Sequence, residues 1–412
     1  MKALIIGGGI IGLSSAYYLS EAGWEVEVLE AGDFADNCSY GNLGMVVPSH
    51  FVPLAAPGIV AQGVRWMFNS SSPFYIKPGL NSKLINWGLK FLRSANAKQA
   101  EAAARPLLEL NLFSKSLYEE LATHLNFGLE KKGILMYFKT ESVAEEENHL
   151  AEKARAMGLD AVYLSRQEVL HLEPEQQPDV LGAVHYRCDA HLHPNSLMRE
   201  MITILKQKGV RLSAGKPLQK MVRDQDQIKE IIAGGDSIKA DLFVMASGSW
   251  LPETMKQAGI SIPLMPGKGY SFTGNEGGPA LRIPAILCEA RVAITPMAGQ
   301  LRFGGTMELA GFQHKVSMNR VRGIVESVPR YFPAMKLEMP REKEVWYGFR
   351  PCSPDGLPFI GYAKNVRNLL VAGGHAMMGL SLGPATGKLI AELAQSQSTS
   401  VDISAFDPNR FS

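Results

Sequence analysis

The sequence predicts an α/β protein of two domains, with its doubly wound part assembled from separate stretches of chain. Three observations predict it. The chain has 412 residues, more than a single hydrophobic core usually serves. It opens with a strand, a glycine turn, a helix and a second strand in register. Strands of the fully buried type return only near residues 241 and 368, after a long stretch in which strand and helix alternation stops.

Residues 3–6 are a continuous apolar run, as in a strand covered on both faces, and end at Gly7-Gly8-Gly9-Ile10-Ile11-Gly12. This is a G-x-G-x-x-G turn. Residues 13–22 read as a helix with Ala16 and Leu19 facing inward, closed by Gly23, and 25–29 alternate as a second strand ending at Glu30. In such a unit Gly7 permits the tight turn, Gly9 lets the backbone approach a pyrophosphate, and Gly12 lets the helix pack against the strand. Glu30, about twenty residues past the glycines, can accept hydrogen bonds from both hydroxyls of an adenosine ribose. The unit predicts dinucleotide binding and leaves NAD and FAD open.

The rest of the chain favours FAD. Residues 32–100 are rich first in Gly, Asn and Pro and then in Trp, Phe and Tyr, where a nicotinamide dehydrogenase would continue to alternate. The pattern resumes with a helix over 196–208 opened by His193-Pro194-Asn195, and with a buried strand over 241–246 running into Ala246-Ser247-Gly248-Ser249-Trp250. A third buried strand spans 368–374, followed by His375-Ala-Met-Met-Gly379-Leu-Ser-Leu-Gly383-Pro384 and a helix over 385–394. The free N–H groups and positive end of that helix suit the negative pyrimidine edge of a reduced flavin.

Composition excludes several classes. With 42 basic and 40 acidic residues the formal charge is +2, which argues against a nucleic-acid binder. Cys38, Cys188, Cys288 and Cys352 are scattered, so neither a disulfide framework nor a metal site is expected, and a reducing, cytoplasmic setting is. His185, His191 and His193 lack zinc spacing and read as caps and turn residues, and Ser14, Ser15 and Ser39 lack a nucleophile elbow. The N-terminus runs directly into a strand rather than a signal peptide, and the apolar stretch 52–68 is broken by Pro53, Pro57 and Arg65, so no spanning helix is expected. From Arg65 to Trp87, aromatic residues and lysines interleave. That pattern fits a substrate-domain core with a solvated rim, and also peripheral contact at the inner face of a membrane.

The glycine turn with Glu30, Cys38-Ser-Tyr-Gly-Asn-Leu-Gly-Met45, Ala246-Ser-Gly-Ser-Trp250, Gly348-Phe-Arg350-Pro-Cys-Ser-Pro-Asp355-Gly and Ala372-Gly-Gly-His375 occur in this order. In these motifs the chain resembles the FAD-dependent D-amino acid oxidase superfamily over almost its whole length. Pro266-Gly-Lys268-Gly-Tyr270-Ser, Val292-Ala-Ile-Thr295 and Arg302-Phe-Gly-Gly-Thr306 with Gly311-Phe312 make it most similar in pattern to bacterial D-amino acid dehydrogenases of the small-subunit type. Glycine oxidase is a more distant likeness. The resemblance implies an α/β (α+β) protein with a discontinuous, Rossmann-like FAD-binding domain of glutathione-reductase type over 1–85, 149–262 and 345–412. An antiparallel-sheet substrate domain is implied over 86–148 and 263–344.

It also implies oxidative deamination of a small amino acid, expected to be a D-amino acid, with hydride passing from Cα to flavin N5 to give an imino acid and then a 2-oxo acid. Cyclic and N-methyl substrates such as D-proline, hydroxyproline, glycine and sarcosine stay open, as do a subunit of an electron-transfer complex and a flavin-binding protein without turnover. The electron acceptor (quinone, carrier protein or dioxygen) and the oligomeric state are likewise open. FAD is expected to be noncovalent, because the attachment cysteine of sarcosine oxidases falls on Gly348.

Carried over residue by residue, Arg350 binds the substrate carboxylate, the alternative being an ion pair with Asp355 across the turn. FAD contacts fall on Gly7, Gly9, Ile10, Ile11, Gly12, Glu30, Ala31, Cys38, Ser39, Leu43, Gly44, Met45, Leu218, Ala246, Gly248, Trp250, Gly374, His375, Met378, Gly379, Leu380 and Ser381. Two positions depart from the better-understood oxidases: Met377 replaces a second arginine of glycine oxidase, and Ala293 replaces a carboxylate-binding tyrosine. Another helper is therefore needed, and Tyr270, His50, Glu289 and Arg291 are the candidates.

Overall fold

The computed structural model describes residues 1–55, 74–76, 82–274 and 281–412. Most of the aromatic and lysine-bearing stretch before Trp87, including Arg65, Phe68 and Pro78, lies outside these residues. A six-stranded sheet runs in the order Phe359–Tyr362, Leu369–Gly373, Leu242–Met245, Lys2–Ile6, Glu25–Leu29, Arg211–Ser213. Its strands are parallel except the first, which is antiparallel to Leu369–Gly373. Ala3, Leu4 and Ile5 are fully buried at its centre, as their unbroken apolar run requires.

The second sheet has nine strands. Its main path is Trp346–Cys352, Met265–Gly274, Gln300–Leu309, Val292–Met297, Ala285–Leu287, Ile134–Phe138, Gly182–Tyr186, Ala161–Ser165, with Phe74–Ile76 pairing beside Gln300–Leu309. This membership differs from the boundaries drawn on the sequence. Ala161–Ser165 and Gly182–Tyr186 were placed with the nucleotide domain, yet they pair antiparallel with one another, and Gly182–Tyr186 pairs with Ile134–Phe138. Trp346–Cys352 likewise pairs along Met265–Gly274. Conversely, helix Ala97–Leu121 lies against the C-terminal helix Gly379–Ala394, bonding to it through Ser114 and Tyr118. Sheet pairing and helix docking are non-local, so a run of sequence carries no mark of which sheet it joins.

The C-terminal helix begins earlier than the sequence predicts. It spans Gly379–Ala394 and contains Pro384, whereas the sequence predicts a start after that proline, where proline usually stands. Pro384 has no N–H to give to the Leu380 carbonyl. Tyr118 Oη donates to that carbonyl instead, at 2.6 Å. Ser114 Oγ donates to the Ser381 carbonyl at 2.6 Å and accepts from Ala385 N–H at 3.4 Å. Repaired in this way, the helix extends past its proline, and its free N–H groups fall at residues 379–381. Among the described residues no helix is long and apolar enough to cross a membrane.

Candidate active site

A cavity of about 1010 Å³ runs between the two sheets, its lining including Glu30, Leu218, His50, Arg350 and Met377. That is the upper end of the range for small-molecule sites, as a dinucleotide with a small second ligand requires.

The glycine turn forms one wall. A Cβ on Gly12 would sit 1.8 Å from the Gly7 carbonyl oxygen, so the helix can start so close to the strand only without a side chain there. Gly7 itself has φ of 116°. Helix Ile10–Glu21 points its first N–H groups at this wall, and Ile10 N–H is met by Ser39 Oγ at 3.0 Å. Glu30 accepts from Gly8 N–H at 2.7 Å and from Gly32 N–H at 2.9 Å, one bond to each carboxylate oxygen. Each oxygen keeps a further lone pair for a ribose hydroxyl.

The far wall comes from the chain's end. His375 bridges Cys352, and its Nε2 pairs with Thr386 Oγ1 at 2.9 Å. Burial pushes this imidazole down to about 3, so it is neutral at any working pH. Gly379 and Leu380, which open the C-terminal helix, also line the cavity. Trp250, half exposed, stacks on Phe312 with ring centroids 5.0 Å apart, and Phe312 meets Phe349 edge to face. The glycine turn, the Glu30 carboxylate and two helix N-termini therefore reach one cavity, and this donor and acceptor set fits FAD.

Arg350 lies on strand Trp346–Cys352 and lines the same cavity. It donates to the Thr306 carbonyl. Asp355, the alternative partner, is gripped by Arg410, Nε to Oδ2 at 2.6 Å and Nη2 to Oδ1 at 3.0 Å. Among the described residues no carboxylate pairs with Arg350. Burial lowers its pKa, although a guanidinium stays charged. A partly desolvated cation without an anion is a site prepared for one.

Of the residues named from sequence, most line this cavity, among them Gly7, Gly9, Ile10, Ile11, Glu30, Ala31, Cys38, Ser39, Leu43, Met45, Leu218, Ala246, Gly248, Trp250, His375, Met378, Gly379 and Leu380. Gly12, Gly44, Gly374 and Ser381 do not; they pack behind it, with Ser381 Oγ accepting from Val47 N–H at 3.0 Å. Tyr270 is a correction. Its ring reaches the cavity, but its hydroxyl donates to Glu308 at 3.1 Å and accepts from Ser317 N–H at 3.1 Å, in a buried cluster with Lys268 and Arg320. It is not available as a carboxylate helper. Glu289 is occupied by Lys139, Thr140 and Tyr331. Arg291 and His50 remain on the cavity wall.

Sequence reasoning missed three contributors. Gly269 lies against Arg350, and a Cβ on it would come within 2.2 Å of the guanidinium. Thr306 holds Arg350 through its carbonyl while its own buried Oγ1 has no partner, at a φ of 66° that a β-branched residue rarely adopts. Arg302 donates to the carbonyls of Tyr40 and Asn42, at 2.9 and 2.8 Å, pinning the loop after the second strand to the nine-stranded sheet. All three stand inside motifs already singled out, yet neither spacing nor composition marks their contacts.

Comparison with known proteins agrees with this geometry. The chain is 27% identical to a D-amino acid dehydrogenase of Allorhizobium ampelinum, over 98% of this chain and 96% of that one, and 28% identical to a D-amino acid dehydrogenase of Paramagnetospirillum magneticum, over 100% and 99%. The fold matches the crystal structure of glycine oxidase from Geobacillus kaustophilus with a TM-score of 0.80 at 24% identity, covering 100% of this chain and 98% of that one. It also matches L-proline dehydrogenase from P. horikoshii, with a TM-score of 0.74 at 20% identity over 100% and 97%. A family model described as FAD dependent oxidoreductase matches residues 2–393. By that match, over nearly its full length, the chain belongs to the FAD-dependent oxidoreductase family.

Proposed function

We propose that this enzyme oxidises the Cα–N bond of a small amino acid, with D-amino acids as the principal substrates and cyclic or N-methyl amino acids as the nearest alternatives. The observation that carries the reading is the Arg350 guanidinium on the cavity wall, which no carboxylate pairs with among the described residues, with Asp355 already held by Arg410. The D-amino acid dehydrogenases that align end to end support the class of substrate.

Bound FAD supplies the hydride acceptor. Arg350 grips the substrate carboxylate through two parallel N–H bonds and so fixes which Cα hydrogen faces inward. Apolar residues such as Leu54, Ile286 and Ala293 are among the cavity's lining, and an apolar wall limits water at the reacting carbon. The substrate nitrogen must be unprotonated, because its lone pair becomes the second bond of the imine. The imino acid then hydrolyses to a 2-oxo acid.

Anaerobic mixing of the yellow protein with D-amino acids, D-proline, hydroxyproline isomers, glycine and sarcosine tests the reading. At least one of them is expected to bleach the flavin, and bleaching by none would sink it. Arg350→Ala is expected to lose on the order of 3 to 5 kcal/mol of transition-state binding, about two to four powers of ten in kcat/KM.

A second reading concerns the electron acceptor. Helix Ser82–Ser94 lines the cavity with Leu84, Trp87 and Phe91. It exposes Ile85, Leu89 and Leu92 by 49%, 53% and 54% beside Lys90 and Arg93. We infer that this face rests on an anionic membrane and opens towards a quinone there, at the inner surface where the four free cysteines are stable. The protein should float with anionic vesicles and Leu89→Glu should not; wild type staying wholly in solution removes this reading.

A further inference from the structure

His50 lines the cavity, and its Nε2 has no hydrogen-bond partner among the described residues. Behind it, Ser49 Oγ lies 3.0 Å from His50 Nδ1 and 2.5 Å from Asp189 Oδ2, and Ser49 N–H donates to Asp189 Oδ1 at 3.0 Å. Asp189 is completely buried. A continuous run of hydrogen bonds thus joins a buried carboxyl to the cavity wall, and the mechanism above makes no use of it.

A serine hydroxyl has one proton and can donate to only one of its two neighbours. With Asp189 ionised, Ser49 donates to the carboxylate, the ring proton of His50 sits on Nδ1 and donates to Oγ, and Nε2 presents a lone pair to the cavity. With Asp189 protonated, its O–H donates to Oγ, the serine hydroxyl turns to Nδ1, and the ring proton sits on Nε2. One proton at Asp189 therefore exchanges acceptor for donor at the cavity wall.

We propose that Asp189 is a positioning residue which, through Ser49, sets His50 Nε2 as the hydrogen-bond acceptor for the substrate's amino group, and that protonation of Asp189 reverses this setting. The proposal rests on the amino-acid reading given above. When hydride leaves Cα with its electron pair, the nitrogen lone pair forms the new C=N bond. An Nε2 acceptor takes an N–H of the amine and leaves that lone pair free. An Nε2–H would instead tie up the lone pair, or oppose the N–H of an ammonium.

The charges around the run suit this task. Lys115, Tyr186 and Cys188 face Asp189, and Arg291 faces His50. Burial pushes Asp189 up to about 7, against the bonds from Ser49 that favour its anion. Burial, followed by the Arg291 charge, pushes His50 down to about 4. His50 is then neutral while Asp189 titrates, so the ring changes tautomer and not charge.

The test uses holoenzyme labelled with nitrogen-15 histidine, with the His50 ring signals identified by their loss in His50→Gln. Between about pH 5.5 and 9 the His50 proton is expected to move from Nε2 to Nδ1 with a midpoint near the Asp189 titration. Asp189→Asn, whose amide oxygen is held by Ser49 N–H so that its NH2 faces Ser49 Oγ and donates to it, should hold the Nε2–H form at every pH. In parallel, anaerobic flavin reduction by an active amino acid, which falls with the substrate amine's own titration, should steepen by roughly a further tenfold per pH unit below that midpoint, and this extra limb should vanish in Asp189→Asn while the amine's limb stays. Should that variant not fold, Ser49→Ala keeps the carboxyl, cuts the run, and should equally abolish the pH dependence of the tautomer. A His50 tautomer independent of pH, or one that still switches in both variants, overturns the proposal. The tautomer readout needs no substrate, so a switch seen without bleaching by any amino acid would sink the functional reading and leave the Asp189 relay standing.

Discussion

At the scale of single residues, the placement of Arg350 depends on what its neighbours lack. Gly269 stands one strand away, paired through Gly348, and leaves open the space in which the guanidinium lies. Gly269→Ala would put a methyl group within 2.2–2.3 Å of its Nη1, Nη2 and Cζ atoms, which must then move. Misplacing a substrate clamp by about 1 Å costs on the order of 100-fold. The expected outcome is a loss of that order in kcat/KM, chiefly through KM, with the FAD content of the purified protein unchanged, because the glycine turn and Glu30 are elsewhere on the cavity wall. Loss of FAD together with activity would contradict this division of roles. The position of Arg350 on the cavity wall was legible from its Gly-x-Arg-Pro setting and the resemblance that setting carries, whereas the fate of Asp355 was not. Only the folded chain brings Arg410 across to take it.

At the scale of elements, the C-terminal helix is the least autonomous part of the site. A proline at its sixth position removes one ladder bond and crowds the carbonyl one turn earlier. Tyr118 and Ser114, both buried on helix Ala97–Leu121, take over the carbonyls left without donors. Tyr118→Phe keeps the ring and deletes the donor, leaving the Leu380 carbonyl buried and unsatisfied, at a cost of roughly 1 to 3 kcal/mol. A lower thermal midpoint and weaker FAD retention are expected together, since the same turn faces the cavity; a drop in midpoint with FAD affinity unchanged would separate the two. Local propensity favoured a start after Pro384, and a distant helix overrode it. The opening strand, turn, helix and strand were legible because their signals are local: an apolar run, glycines at fixed offsets, and a terminal acid.

At the scale of the whole molecule, the cavity exists because two sheets of different kinds meet along it. The parallel sheet contributes Glu30 and the glycine turn. The nine-stranded sheet contributes Arg350, Tyr270 and Thr306. Arg302 on the second sheet donates to Tyr40 and Asn42 of the loop that follows the first, so the two halves are hydrogen-bonded at the site itself. The sequence by itself determined the nucleotide-binding unit and marked Arg350 as an arginine of the cavity, since each is written in residues near one another along the chain. The tertiary structure alone decided which strands join which sheet, that Tyr270 spends its hydroxyl on Glu308, and that Asp189 stands behind Ser49 and His50. The last two depend on contacts between residues 38 and 140 positions apart, and neither hydrophobic periodicity nor turn chemistry reaches that far.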